Sequence, residues 1–297
     1  MIGKIYLRVR QGWNPWRKML SLIVKRRQLI VKAARFERQE GIIVSFTAIP
    51  ERVSQLKYTI LSILNGDEIP ERIVLYVSEK TKKSIREQQD KVLNELLLIG
   101  YLEIREVKDV GPHTKLIYAL EDFPGKAVVV CDDDIVYPPY WFHAIRARYH
   151  EVKGQQMVVA QRAHRVTYYP DGAIKPYADW EKEVPTVQGK AVIGKDLFPT
   201  GTGGVLFPPG SMPELTTTVS EFKELAPKAD DIWFWFCALL NGNTFTLTDV
   251  KYQYEDAPEI PNYKSPNLYY DNVGGSANDD QFQLCQNYFK QKHNLQV

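Results

Sequence analysis

The sequence predicts an α/β protein with a mostly parallel sheet flanked by helices, and three observations predict it. Four short apolar runs, at 42–47, 72–77, 102–107 and 127–131, alternate with helical stretches long enough to serve as crossovers. Gly41, Pro50, Gly100 and the pair Gly111-Pro112 punctuate the joints between them. A chain of 297 residues, 44% hydrophobic and 25% charged, has the composition of a globular protein with one large core, which excludes a disordered scaffold.

The first element is a basic amphipathic helix over 16–38. Aliphatic residues at 20, 23, 24, 30 and 31 sit among Arg and Lys without Pro or Gly, behind Trp13 and Trp16. Residues 1–40 carry eleven Lys/Arg against Glu37 and Glu40, a charge of +9, which leaves −7 on the remainder of a chain of net charge +2. The expected neighbour of this arm is an anionic membrane surface; the alternatives are packing on its own domain or on a protein partner. Lys25-Arg26-Arg27 separates the apolar runs 19–24 and 29–31, so the helix is not expected to span a bilayer, and the same triplet breaks up a signal peptide. Cys131, Cys237 and Cys285 are an odd set without metal-type pairing, which points to a reducing compartment rather than a disulfide framework. The expected location is cytoplasmic, peripheral at the inner face of the cell membrane. Nucleic acid is not an expected partner, because the body is net acidic and the arm contains no reading module.

After the strand at 42–47 come a Pro50 turn and a helix over 54–64, a second strand at 72–77, and a helical stretch over 80–99 stopped by Gly100. The strand at 102–107, the Gly111-Pro112 turn, a helix over 114–120 and the strand at 127–131 complete the alternation. The pattern then loosens into a helix at 139–151, strands near 157–160 and 204–206, and an irregular polar and aromatic region at 161–200. A further helix is expected after Asp230 as N-cap; twelve residues without Pro or Gly precede Gly242, and they are apolar almost all round, so the helix is expected to be buried. Asn278-Asp279-Asp280-Gln281 marks a last helix start, with an acceptor contact there as a suggestion only.

The chemistry concentrates where the fourth strand ends in Asp132-Asp133-Asp134. Three adjacent carboxylates repel one another unless cations compensate. Alternation along an extended chain puts Asp132 and Asp134 on one side, roughly 7 Å apart along the backbone, so that they can share a hard divalent cation, Mn²⁺ or Mg²⁺. Such a cation takes its other ligands from substrate phosphates, which makes a nucleotide diphosphate the natural partner. Ligands of parallel α/β sheets bind at the carboxyl ends of the strands, where this run lies. The structural alternative is an acidic cap on a buried strand.

With these pieces in order, the chain resembles the GT-A-fold, nucleotide-sugar-dependent glycosyltransferases, particularly small bacterial enzymes of surface-polysaccharide assembly. The matching segments are 42–52 (IIVSFTAIPER), 72–78 (RIVLYVS), 109–115 (DVGPHTK), 128–139 (VVVCDDDIVYPP), 200–210 (TGTGGVLFPPG) and 229–242 (ADDIWFWFCALLNG). The resemblance implies a Rossmann-like sheet, with residues 1–40 as a basic arm and 41–297 as one catalytic domain. Within that domain, 41–138 would be the nucleotide-sugar half and 139–297 the acceptor half. It puts the metal on Asp132 and Asp134, leaving Asp133 for the donor sugar or ribose, or as an alternate ligand. It also puts a catalytic-base carboxylate at the start of the 230–241 helix, which assigns Asp231 as base and Asp230 as cap or acceptor ligand. The turn from Thr47 to Arg52 would meet the base and ribose, with Arg52 on phosphate or base or merely a surface arginine.

His113 and Lys115 follow the Gly-Pro turn and open a helix, where free N–H groups meet anions, so both are donor-site candidates beside a helix-surface reading. The run Gly201-Thr202-Gly203-Gly204 lacks the spacing of a Walker loop; Gly203 and Gly204 either let the backbone approach an acceptor sugar or form a tight turn. Trp141, Tyr168, Tyr169, Tyr177 and Trp180 are candidate sugar platforms or ordinary core. No third metal ligand is assigned, since His293 stands near the end without a motif. The implied reaction is metal-dependent, inverting transfer from a UDP-linked donor, UDP-galactofuranose among the candidates, to an oligosaccharide or lipid-linked saccharide acceptor. A sugar nucleotidyltransferase would want a Gly-rich basic loop where Thr47-Ala48-Ile49-Pro50 stands, and a membrane-docked carbohydrate-binding protein without catalysis is the non-enzymatic alternative.

Overall fold

A computed structural model of the protein describes residues 14–35, 38–186, 189–253, 255–261 and 277–297. Its elements run α1 (Pro15–Arg35), β1 (Gln39–Thr47), α2 (Leu56–Leu64), β2 (Pro70–Val77), α3 (Glu79–Gln88), α4 (Lys91–Leu98), β3 (Leu102–Glu106), α5 (Thr114–Asp122) and β4 (Ala127–Val130). The second half runs α6 (Trp141–Glu151), β5 (Met157–Ala160), β6 (Ala163–Arg165), β7 (Ile193–Gly194), β8 (Leu197–Pro199), β9 (Val205–Phe207), α7 (Val219–Leu225), α8 (Asp230–Leu240), β10 (Thr244–Leu247) and α9 (Ala277–His293).

Eight strands form one sheet in the order β3-β2-β1-β4-β9-β5-β10-β7, and β6 pairs with β8 apart from it. Strands β3, β2, β1 and β4 are mutually parallel, as are β5 and β10; only β9, between β4 and β5, and β7, on β10, run the other way. This is the α/β architecture, a mostly parallel sheet flanked by helices, that the alternation predicts. Ile43 and Val44 of β1 and Val128 to Val130 of β4 are buried on both faces of the sheet, which is why these runs are continuously apolar rather than alternating. One core layer holds Leu61, Leu96, Trp141 and Phe142 from α2, α4 and α6; the other holds Leu116, Trp233, Trp235 and Phe289 from α5, α8 and α9. Cys131, Cys237 and Cys285 are buried free thiols.

Two elements depart from expectation for local reasons. The helix expected over 80–99 breaks in two at Gln89, left-handed at φ 45°, because the Asp90 carboxylate caps a new helix through the N–H groups of Val92 and Leu93. Asp230 is not an N-cap: α8 starts one residue earlier than expected, Ala229 holds the cap position, and no side chain caps it. The N-terminal helix packs on its own domain along one face. Met19, Leu22, Leu29, Ile30 and Ala33 are buried in the core shared with α2 and α4, and Lys18, Lys32 and Arg38 donate to backbone carbonyls of residues 255–256, 64–66 and 99–100. Its opposite face, with Trp16, Leu20, Val24 and Val31, is exposed. Trp13 lies outside the described residues.

Candidate active site

Strands β1 and β4 lie side by side at the sheet centre, with Ser45 opposite Val130, so the residues just after each strand emerge together at the carboxyl edge. The ladder ends where the Cys131 N–H donates to the Ser45 carbonyl. Beyond it the backbone is tied down on all sides. Thr59 donates its hydroxyl to the Asp133 carbonyl at 2.8 Å, the Ile260 N–H donates to the Asp134 carbonyl at 2.6 Å, and the Asp132 N–H donates to the Tyr137 hydroxyl at 3.0 Å.

The alternation expected for the three aspartates persists past the strand. The Asp132 and Asp134 side chains each keep 27% of their surface open, whereas Asp133 keeps 7%. Asp133 is therefore turned into the protein. Its Oδ1 lies 2.8 Å from Nη1 of Arg52, which also reaches Oδ2 of Asp134 at 2.9 Å. Arg52 is thus a clamp on the aspartate run instead of a group standing open to phosphate or base. Thr47, half-buried, ends β1 one strand away.

Lys115 is the centre of the arrangement. Its buried ammonium lies 2.8 Å from Oδ1 of Asp132 and 3.1 Å from Oδ2 of Asp230, so one cation joins the end of β4 to the start of α8. Its backbone is fixed by the Ser45 hydroxyl, which donates to the Lys115 carbonyl. Asp231 follows Asp230 and accepts the Gly201 N–H on both oxygens, at 3.1 and 3.2 Å. His113, two residues before Lys115, is not open to a donor: its ring is fully buried, stacks on Phe222 at 4.2 Å and meets Phe234 edge-on at 5.6 Å. Burial, chiefly, holds it neutral by pushing its pKa down to about 4.

The tight-turn account of Gly203 and Gly204 has a direct steric cause. A Cβ on Gly203 would stand 2.5 Å from that of Arg162, and one on Gly204, at φ +91°, would stand 2.7 Å from the Trp141 ring. The Trp141 ring is itself buried, donating Nε1–H to the Gly203 carbonyl at 2.7 Å, so it supports this loop rather than forming a platform. Trp180 is likewise core, while Tyr168 and Tyr169 are exposed. Gly201 is the glycine at the site: a Cβ there would meet Nζ of Lys115 at 3.1 Å, Oδ1 of Asp231 at 3.3 Å and Oδ1 of Asp132 at 3.5 Å. Tyr137, also missed, accepts the Asp132 N–H and donates to the Thr202 carbonyl at 3.3 Å. Its signal in the sequence was only its nearness to the aspartates.

Five carboxylates thus face two cations, and their environments push them apart. Burial raises Asp231 to about 7, helped by the adjacent Asp230 and opposed by Lys115. Burial and the neighbouring Asp133 raise Asp134 to about 8. Burial acts the same way on Asp132, but the Lys115 ion pair outweighs it and keeps that carboxyl below the usual range. Burial also works against the Lys115 charge, yet Asp132, Asp230 and Asp231 together hold its pKa well above that of a free lysine.

Excess negative charge and two half-open hard oxygen donors fit a divalent cation that completes its shell with diphosphate and water. Among the described residues no three His, Cys, Asp or Glu side chains come together as a metal-holding group.

No family model matches the chain, and no curated protein matches it. Among solved structures it is similar to the crystal structure of GalNAc-T7 with UDP, GalNAc and Mn²⁺, at a TM-score of 0.47 and 12% identity over 84% of this chain and 47% of that one. The chain therefore spans about half the length of that protein.

Proposed function

We propose that this protein is a metal-dependent, inverting glycosyltransferase that moves a sugar from a UDP-linked donor to a saccharide acceptor. The acceptor we favour is lipid-linked and belongs to a bacterial surface polysaccharide such as O-antigen or capsule, extended at the inner face of the membrane. The observation that supports the reading is one buried lysine joining two acidic runs: Asp132, at the strand end where a nucleotide belongs, and Asp230, next to a carboxylate raised to about 7. A sugar nucleotidyltransferase draws no comparable support, since the Pro50–Gln55 turn after β1 carries no glycine-rich loop.

In this reading Asp132 and Asp134 hold Mn²⁺ or Mg²⁺, which when bound offsets charge on the departing nucleoside diphosphate. Arg52 fixes Asp134 in place, and Tyr137 with Lys115 fixes Asp132. Asp231 removes the proton of the acceptor hydroxyl as that oxygen bonds to the anomeric carbon and the bond from that carbon to the diphosphate oxygen breaks. The Gly201 N–H aims the carboxylate, and burial supplies a pKa near the operating pH, where a general base is most effective. Lys115 balances Asp132 and Asp230, so that the extra proton has Asp231 as its nearest acceptor.

The test is calorimetry with UDP, GDP, CMP and dTDP, each with and without Mn²⁺, followed by turnover of the matching nucleotide sugars. Metal-dependent UDP binding and sugar transfer are expected. Failure of every nucleotide to bind, with glycan left unchanged, would instead favour a non-catalytic carbohydrate-binding protein.

A further inference from the structure

We infer that the outward face of α1 is a docking surface for an anionic phospholipid bilayer. Trp16, Leu20, Val24 and Val31 are 57, 65, 76 and 47% exposed. At 100° per residue they share one stripe spanning about 80° of the helix circumference. Exposed Arg17, Arg27 and Arg35 lie within or beside that stripe. A Trp-containing apolar stripe with a basic border is what lies flat in the headgroup region of a membrane.

The basic side chains divide by task. Lys18, Lys32 and Arg38 are used inside the molecule, donating to carbonyls that hold the helix down. Among the described residues the outward three make no comparable contact to another element, so folding does not explain them. Nor does a second copy of the chain: pairing this face with itself would set basic residues against basic residues. Nucleic acid has no use for the apolar stripe, whereas an anionic bilayer matches both the stripe and its charge. The surface lies along the bilayer rather than across it, since no described helix is long and apolar enough to span one.

Docking there would also orient the candidate site. Lys18, one turn into α1, donates to the carbonyls of Glu255 and Asp256 at 2.8 Å each. The same segment then pairs with the chain that follows the aspartates: the Val136 N–H donates to the Pro258 carbonyl, Ile135 bridges Glu259, and the Ile260 N–H donates to the Asp134 carbonyl. The docking helix and the proposed metal ligand are therefore tied by a stretch of six residues. Presentation of a lipid-borne acceptor to the site rests on the glycosyltransferase reading; lipid binding itself does not.

The experiment uses the full chain and two vesicle types, pure phosphatidylcholine and an equimolar mixture with phosphatidylglycerol, read by co-sedimentation and tryptophan emission. Wild type is expected to bind only the anionic vesicles, more weakly as salt rises, with a blue shift in emission. A Trp16→Ser/Leu20→Ser/Val24→Ser variant and an Arg17→Gln/Arg27→Gln/Arg35→Gln variant are each expected to lose binding by at least about tenfold. Both keep the wild-type circular dichroism spectrum, because the changed side chains are exposed. Equal binding by either variant and wild type, or equal binding to both vesicle types, would overturn the inference. So would a dimer that the serine variant dissolves in the absence of any lipid binding. If vesicles bind as expected but no nucleotide sugar turns over, docking stands and the transferase reading falls.

Discussion

The two acidic runs at the site have the same residue type and opposite situations. Asp132 to Asp134 ends a strand, and its carboxylates draw on both Arg52 and Lys115. Asp230 and Asp231 open a buried helix and, among the described residues, have the shared Lys115 and the Gly201 N–H to answer them. The first run has half-open, cation-paired oxygens suited to exchanging a protein cation for a metal. The second holds one carboxylate in apolar surroundings near neutrality. In the proposed reading, environment rather than residue identity divides the labour between metal ligand and base.

The sharpest way to break this comparison is Asp231→Asn. Turnover is expected to fall by roughly 10² to 10⁴, the range for loss of a general base, while steady-state kinetics of donor hydrolysis and transfer report whether any base remains. The same substitution sharpens the account through stability. A carboxyl whose pKa is raised in the folded state binds a proton that the unfolded chain has released, so its contribution is lost as pH rises from about 4 toward 7. The Asn variant escapes that loss, and its melting temperature is expected to exceed that of wild type at pH 8 but not at pH 4.

Next in size, Asp132→Ala and Asp134→Ala are each expected to lower turnover by roughly 10²- to 10³-fold, the scale for removing one electrostatic stabiliser of the transition state, with the midpoint of metal activation moved to higher Mn²⁺. Gly201→Ala intrudes on Lys115, Asp231 and Asp132 at once. A loss of about 10²-fold is expected in turnover with little change in donor affinity, as for a small misplacement of catalytic groups. The smallest effect is one of condition: kcat/KM of wild type is expected to rise about tenfold per pH unit below about 7 and level off above it, and this limb is expected to be absent in Asp231→Asn.

The same contrast explains what the sequence made legible. The sheet strands were legible because burial on both faces leaves an unbroken apolar run, as in Val128-Val129-Val130, and the aspartates announced themselves by their crowding. Antiparallel β9 was visible as a strand but not in its direction, which depends on pairing with β4 and β5 across the chain. The roles of Arg52, Asp133 and Gly201 depend on contacts 30 to 81 residues apart in sequence, so no local pattern distinguishes a clamp from a ligand. His113 misled because a helix start supplies anion-binding groups in general, and only packing against Phe222 reveals that this ring turns inward.

The central claim is that one acidic run holds the donor and the other works on the acceptor, and calorimetry of UDP in the presence of Mn²⁺ tests it most directly across three proteins. Wild type and Asp231→Asn are expected to bind with the same affinity, while Asp132→Ala binds more weakly at the same Mn²⁺ and recovers only as Mn²⁺ is raised. Undiminished binding by Asp132→Ala, or loss of binding by Asp231→Asn, would contradict the division of labour between the two runs.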